Sequence, residues 1–235
     1  MKLFLETVSS EMMDLLRKLM EIDELTPFRL VGGTALALQF GHRTSVDIDL
    51  FAGGRTETQN LPKIISQFFG PAFQLVSQNR NGFASQINNV KVDIVDWKVP
   101  FTQNPIEENG IRMATPPDIF ASKCDALLDR KAEKDFVDIA MIASTYDLSS
   151  LFVTLKTRYS YITTGAISSF LLKKSLIERD RTIRYLKNYN FEDFANLIQS
   201  KIVEFEKASK EKKQAQADDR DKKIQYLIKQ KRKKQ

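Results

Sequence analysis

Apolar positions along the first half of the chain change their period several times. Met12, Leu15, Leu16, Leu19 and Ile22 recur at helical spacing within residues 5 to 25, and Pro27 breaks the pattern. The apolar run from Phe28 to Val31 predicts a strand that stops at Gly32-Gly33, and Thr34 to Phe40 predicts a short helix with Gly41 at its C-terminal cap. Val46 to Phe51 predicts a second strand, and Leu61 to Phe69 a helix opened by Pro62 and closed by Gly70-Pro71. Phe73 to Ser77, Gly82 to Ile87 and Val90 to Trp97 are separated by Asn79-Arg80-Asn81-Gly82 and Asn88-Asn89, the pattern of an antiparallel meander. After a loop containing Pro100 and Pro105, Thr115 stands before Pro116-Pro117 as an N-cap with prolines in the first turn. From there to about residue 208 the readable pattern is helical, with a turn expected over Tyr159 to Thr164. The expected architecture is α+β, a mixed sheet flanked by helices over residues 1 to 112. A helical domain follows over 113 to 208, then a basic polar tail over 209 to 235.

Composition narrows the chemistry. No apolar run approaches the roughly 20 residues of a membrane span, and the N-terminus lacks the order of a signal peptide, so a cytoplasmic protein with no membrane contact is expected. One cysteine, Cys124, and one histidine, His42, exclude a disulfide framework, a cysteine zinc cluster and a multi-histidine metal site. Any metal must then be held by oxygen, which favours magnesium or manganese. The net charge of +6 is concentrated at the C-terminus, where residues 201 to 235 carry 13 Lys/Arg against 6 Asp/Glu. Such a run is a solvated extension or an arm that contacts RNA phosphates without reading sequence.

Four short stretches carry candidate chemistry: Gly32-Gly33-Thr34, Asp47-Ile48-Asp49, Lys91-Val92-Asp93 and a helix with Lys123. In a strand, Asp47 and Asp49 project to one face about 7 Å apart, with Val46, Ile48 and Leu50 on the opposite, buried face. Two like charges on an interior strand are costly unless a cation lies between them. If the strand of Asp93 lies beside the first, a third carboxylate joins the pair, and three carboxylates can hold two divalent ions. Asp96 points to the other face and reads as a solvent-exposed strand end. At Gly32-Gly33 the absence of side chains allows backbone amides to approach phosphate oxygens, and the helix N-terminus adds free N–H groups. The Thr34 hydroxyl is placed to donate to a phosphate there. Arg43 and Ser45 are further candidates for phosphate or base contacts, with His42 beside them a solvent or packing residue.

The set G-G-T-A-L, R-x-S-x-D-I-D-L-F, K-V-D-I, P-x-D-I-x-x-x-K and R-x-x-x-K-D-x-x-D, from Val31 to about Asp138, resembles the AbiEii/AbiGii toxin-type nucleotidyltransferases of the DNA polymerase β-like superfamily. Thr34 stands where many members carry serine. The resemblance implies a nucleotidyltransferase-type sheet and a metal-dependent transfer of a nucleoside monophosphate from a nucleoside triphosphate. In it Asp47, Asp49 and Asp93 hold the metal, Asp93 helps deprotonate the acceptor hydroxyl, and Lys123 contacts the nucleotide phosphates. It further implies the toxin of a toxin–antitoxin or phage-defence pair, tRNA as the first acceptor to test, and an antitoxin partner. Arg130, Lys134, Asp135 and Asp138 fall at helical spacing, either a surface ion-pair network or, as the resemblance implies, a set that orients the Lys123 helix against the site. Two alternatives from other classes are a nucleotide- or RNA-binding protein without turnover and an adaptor acting through its helices. Within the enzyme class, the acceptor can instead be a protein side chain or a small molecule.

Overall fold

The computed structural model describes residues 2–54 and 56–232. The first helix, α1 (Ser10–Met20), is capped by Ser9, whose side chain accepts from the Met12 amide. It turns Met12, Leu15, Leu16 and Leu19 into the core. The next elements follow the hydrophobic pattern closely: β1 (Arg29–Leu30), α2 (Gly32–Phe40), β2 (Asp47–Ala52) and α3 (Leu61–Phe69). The meander is β3 (Phe73–Asn79), β4 (Gly82–Ile87) and β5 (Val90–Asp96). Gly41 takes the left-handed cap conformation, φ 65°, that ends α2 and turns the chain toward β2.

A short hairpin, β6 (Ile106–Glu108) and β7 (Ile111–Met113), lies where the sequence pattern predicts only a loop. It adds to the sheet because β7 pairs in parallel with β1. The seven strands lie in the order β3-β4-β5-β2-β1-β7-β6. The carboxylate-bearing β2 is therefore interior, antiparallel to β1 and parallel to β5. Residue 112, the expected edge of the α+β part, falls inside β7.

Helices α4 (Pro116–Arg130), α5 (Glu133–Thr145), α6 (Leu148–Arg158), α7 (Thr164–Leu171) and α8 (Phe191–Arg232) complete the chain. Their apolar faces, among them Phe120, Leu127, Phe136 and Ile139, join Leu36, Ile48, Leu50 and Ile94 in one continuous buried cluster. Each such side chain contributes about 1.5–3 kcal/mol by leaving water. Helix α8 runs without a break through residue 208, where a separate tail was expected. Of the basic C-terminal run, residues 233–235 lie outside the described residues. Where helical segments joined by turns were expected, residues 172–190 form a longer irregular stretch apart from one short 3₁₀ turn at Lys174–Leu176. This strap crosses back to pair with residues beside the first carboxylate strand, through the Thr44 amide to the Arg184 carbonyl and the Leu186 amide to the His42 carbonyl. Glu133, at the start of α5, anchors it by accepting from the Asp180 amide, the Arg179 guanidinium and the Tyr185 hydroxyl. Among the described residues no helix is long and apolar enough to cross a membrane.

Candidate active site

Parallel pairing of β2 with β5 brings the three carboxylates together: Asp49 is directly opposite Asp93, and Asp47 opposite Lys91. All three aspartates line a cleft of about 750 Å³ whose walls also include Gly32, Gly33, Ser45 and Lys123. That volume lies within the range of small-molecule sites. On the other side of the same strands, Ile48, Leu50, Val92 and Ile94 are fully buried. Val46 departs from this alternation. It precedes the paired part of β2 and is 72% exposed on the cleft wall, because the strand begins one residue later than the apolar run implied.

The acidic group is poorly compensated. Burial raises the pKa of the Asp49 carboxyl, Lys123 partly opposes this, and the charges of Asp93 and Asp47 add to it. One oxygen of Asp93, Oδ2, accepts from the Lys91 ammonium at 2.8 Å. The other, Oδ1, is buried with no hydrogen-bond partner, an arrangement that costs free energy unless something positive meets it. Oxygen-only donors of this kind suit a hard divalent cation such as magnesium or manganese. As they stand, no three acidic, histidine or cysteine side chains among the described residues converge closely enough to hold one. The donor set thus fits such an ion in kind and in its unmet charge.

At the start of α2 the N-cap residue is Val31, whose side chain offers no capping bond, and among the described residues no side-chain acceptor is seen for the amides of Gly32 and Gly33. Gly32 has φ +68°, and a Cβ there would lie 2.6 Å from Asp49 Oδ2. The glycine therefore lets the carboxylate and the turn share one space. Thr34 is not placed as the sequence reading expected. It is buried, and its hydroxyl donates to the Asp47 carbonyl and lies 2.9 Å from Ser45 Oγ. Ser45, unlike Thr34, lines the cleft, and its hydroxyl is held by the Thr34 contact.

Arg43 and Lys123 are also committed elsewhere. Arg43 forms a two-pronged pair with Asp138, Nε to Oδ1 and Nη2 to Oδ2, both at 2.8 Å. The Lys123 ammonium lies 2.8 Å from Asp135 and 2.8 Å from Asp138, and His42 Nε2 completes the group at 2.8 Å from Asp138. Both aspartates and His42 are fully buried, and Arg130 reaches Asp135 from the cleft side. Burial alone would raise the Asp138 carboxyl, but Arg43 and Lys123 outweigh it and hold the group well below the ordinary range. Burial likewise opposes the charge on Lys123, and Asp138 and Asp135 more than restore it. His42 is driven toward its neutral form by burial. Of the expected network, Asp135 and Asp138 form a buried hub with Lys123, Arg43 and His42 that ties α4 and α5 to the turn between α2 and β2, Arg130 meets it from a half-exposed position, and Lys134 lies on the cleft wall. Lys123 reaches the cleft wall as part of that hub.

Two acidic residues near the site hold loops. Asp96 accepts from the Gly54 and Thr56 amides at 2.9 and 3.2 Å, so it organises a turn and is not a solvent residue. Asp118 is fully buried and accepts from the Thr102 and Gln103 amides, which fastens the segment after β5 to the start of α4. Thr115 begins α4 as expected, yet its hydroxyl goes to Asp118 and not to a backbone amide. The remaining cleft wall was missed by sequence reasoning. It includes the aromatic side chains Phe51, Trp97, Phe101 and Tyr159, together with Lys134 of α5 and Asp180, Thr182, Ile183 and Arg184 of the strap. For the aromatic set a sequence signal existed, since Phe51 continues the Asp47, Asp49 alternation and Trp97 continues that of Asp93.

Comparison with known proteins gives the family and the fold. The family model described as the nucleotidyl transferase AbiEii toxin of type IV toxin–antitoxin systems matches residues 14–225. The uncharacterised protein aq_aa25 of Aquifex aeolicus is 27% identical over 161 residues, covering 66% of this chain and 77% of the relative. A Helicobacter pylori structure described as a candidate nucleotidyltransferase superposes with a TM-score of 0.58 at 17% identity, over 85% of this chain and 93% of that one. JHP933 from Helicobacter pylori does so with a TM-score of 0.52 at 20% identity, over 89% and 99%. At these identities the two structures speak for a shared fold.

Proposed function

Because the chain belongs to the AbiEii nucleotidyltransferase toxin family and is a nucleotidyltransferase, we propose that Asp47, Asp49 and Asp93 are its reaction centre. The substrate is a nucleoside triphosphate, and tRNA is the acceptor we favour. The in-register apposition of Asp49 and Asp93, with an unpartnered buried oxygen on Asp93, is the observation that carries this reading.

The triphosphate binds through its phosphates to the open amides of Gly32 and Gly33 and to the Ser45 hydroxyl. Lys134 and Arg184 on the cleft wall add positive charge. A magnesium or manganese ion held by Asp47, Asp49 and Asp93 would supply charge neutralisation for the phosphates. Asp93 takes the proton of an acceptor hydroxyl, whose oxygen attacks the α-phosphorus. The bond to the β-bridging oxygen breaks and pyrophosphate leaves. Lys123 acts on this centre at one remove. After burial it is the largest influence on Asp49, and it favours the ionised carboxylate. Arg43 and Thr34 hold the framework and do not touch phosphate.

Residues 1 to 112 supply the carboxylates in this scheme, and residues 113 to 208 supply Lys123 and the far wall. The biological setting we infer is a cytoplasmic toxin of a toxin–antitoxin or phage-defence pair, restrained by a separately encoded antitoxin. To test it, each of the four labelled nucleoside triphosphates is incubated with the protein, magnesium and total tRNA. Label should move to tRNA with the unmodified protein and not with Asp47→Ala or Asp49→Ala. Release of pyrophosphate with no labelled tRNA would reject tRNA while keeping the transferase centre.

A further inference from the structure

Trp97, the chain's one tryptophan, is 38% exposed on the wall of the cleft and stacks on Phe51 with ring centroids 6.0 Å apart and planes 29° from parallel. Phe51 stands one pleat beyond Asp49 on β2, about 7 Å along the strand. An aromatic pair therefore begins where the acidic row ends. We propose that Trp97, backed by Phe51, is a stacking platform for a nucleobase of a molecule bound across the carboxylates.

Three features distinguish this pair from an ordinary core contact. First, the indole is fixed by polar contacts: its Nε1–H donates to the Tyr159 hydroxyl at 3.2 Å, which in turn donates to Ser122 Oγ at 3.3 Å. Ser122 Oγ then donates to the Asp118 carbonyl. A side chain held this way loses little further freedom when a ligand stacks on it. Secondly, the backbone that carries Trp97 is tethered. The buried Arg158 donates to the carbonyls of Val99, Pro100 and Asp118, and its guanidinium lies over the rings of Phe101 and Tyr159 at 5.0 and 5.5 Å. Thirdly, the indole lies on the wall of the same cleft that Asp47, Asp49 and Asp93 line, so its open part faces the space a bound nucleotide would fill. A planar heteroaromatic base joined to a phosphate matches both neighbours, and stacking tolerates any base because each has a π-face.

The base can belong to the nucleoside triphosphate or to the end of an RNA acceptor. Trp97 emission reports either without turnover, since it is the chain's one indole. This inference rests on the proposed reaction centre, and binding readouts separate the two. The intact protein is titrated, with magnesium, against nucleoside triphosphates, inorganic tripolyphosphate and a short single-stranded RNA with a free 3′ hydroxyl. The expected result is saturable quenching by a base-bearing ligand and none by tripolyphosphate. Quenching by triphosphates, with Trp97→Ala weakening their binding about 5- to 100-fold, assigns the platform to the substrate base. Quenching by RNA, with Trp97→Ala raising the acceptor KM by a similar factor at unchanged triphosphate affinity, assigns it to the acceptor. In either case Trp97→Phe retains most of the binding. Emission unchanged by both ligands while calorimetry records binding, or a Trp97→Ala protein within about twofold for both, overturns the platform and leaves the transferase reading standing. Loss of transfer with normal quenching would do the reverse.

Discussion

Replacing Asp138 by asparagine tests whether the buried hub is structural in the way the distances imply. The carboxylate is fully buried and is met at 2.8 Å by Arg43 twice, by Lys123 and by His42. The asparagine side chain would present one oxygen and an amide group to the same ring of donors. Arg43 would keep its contact to the Thr44 carbonyl and Lys123 its contact to Asp135, while both cations would stay buried with less than their full counter-charge. Removing one partner of a buried pair costs about 3–5 kcal/mol. For a domain of this size each kcal/mol moves Tm by about 2–4 °C, so the variant should melt about 6–20 °C lower. It should still fold, because domains hold roughly 5–15 kcal/mol. Thermal melts followed by far-ultraviolet circular dichroism read the shift. Asp14→Asn, which removes a solvent-exposed pair with Arg17, is the control, and a loss under about 1 kcal/mol is expected there. Adding Lys123→Met to Asp138→Asn should cost less than the sum of the two alone, because it removes a stranded charge. A loss below about 1 kcal/mol for Asp138→Asn would refute the reasoning, since the hub would then be solvated or redundant.

Three further outcomes follow from the same geometry. Gly33→Ala, a change that in an ordinary helix stabilises by about 0.5–1 kcal/mol, should here lower Tm, because a Cβ there collides with Arg43 Nη2 while that group is pinned to Asp138; a melt equal to or above that of the unmodified protein would contradict the packing. The dependence of Tm on pH should fall away on both sides of neutrality. Asp138 and Asp135 have depressed values in the fold, so their contribution is complete above the unfolded carboxylate pKa of about 4 and is lost as pH falls below it. Lys123 has a raised value, so its contribution is complete below about 10.4 and is lost as pH rises through its folded pKa; both arms should flatten in Asp138→Asn, and an unchanged profile would exclude the hub as their source. Asp96→Ala should leave two loop amides without their acceptor and loosen the turn at Gly54, read as faster hydrogen exchange at Gly54 and Thr56 with little change at β2; protection unaltered at both amides would show that the turn holds itself.

Period and punctuation in the sequence were enough for the sheet that carries the carboxylates. The alternation through Ile48 and Leu50, the turns at Asn81-Gly82 and Asn88-Asn89, and the prolines in the first turns of α3 and α4 each mark an element that the structure contains. The hairpin of β6 and β7 carried a turn signal, Asn109-Gly110, both at positive φ, but strands of three residues are too short to show an alternation. The strap over residues 172–190 could not be read because its residues are placed by long-range contacts, such as those of Glu133, and not by a local period. For the site, the residues brought to the cleft were legible and their partners were not. Thr34, Arg43 and Lys123 all fall in the right stretches, yet each has a polar group spent on a neighbour that lies remote in sequence or on the backbone. A sequence names the cation; only packing decides which anion it meets.

Nucleotidyl transfer at the carboxylates of β2 and β5 is the central claim, and the direct measurement compares α-labelled with γ-labelled nucleoside triphosphate, in magnesium and acceptor RNA, for the unmodified protein and for Asp49→Asn. Label should pass to the acceptor from the α position alone, with pyrophosphate released in step, and the variant should fold as well but transfer nothing. Transfer from the γ position, or an Asp49→Asn protein as active as the original, would contradict that claim.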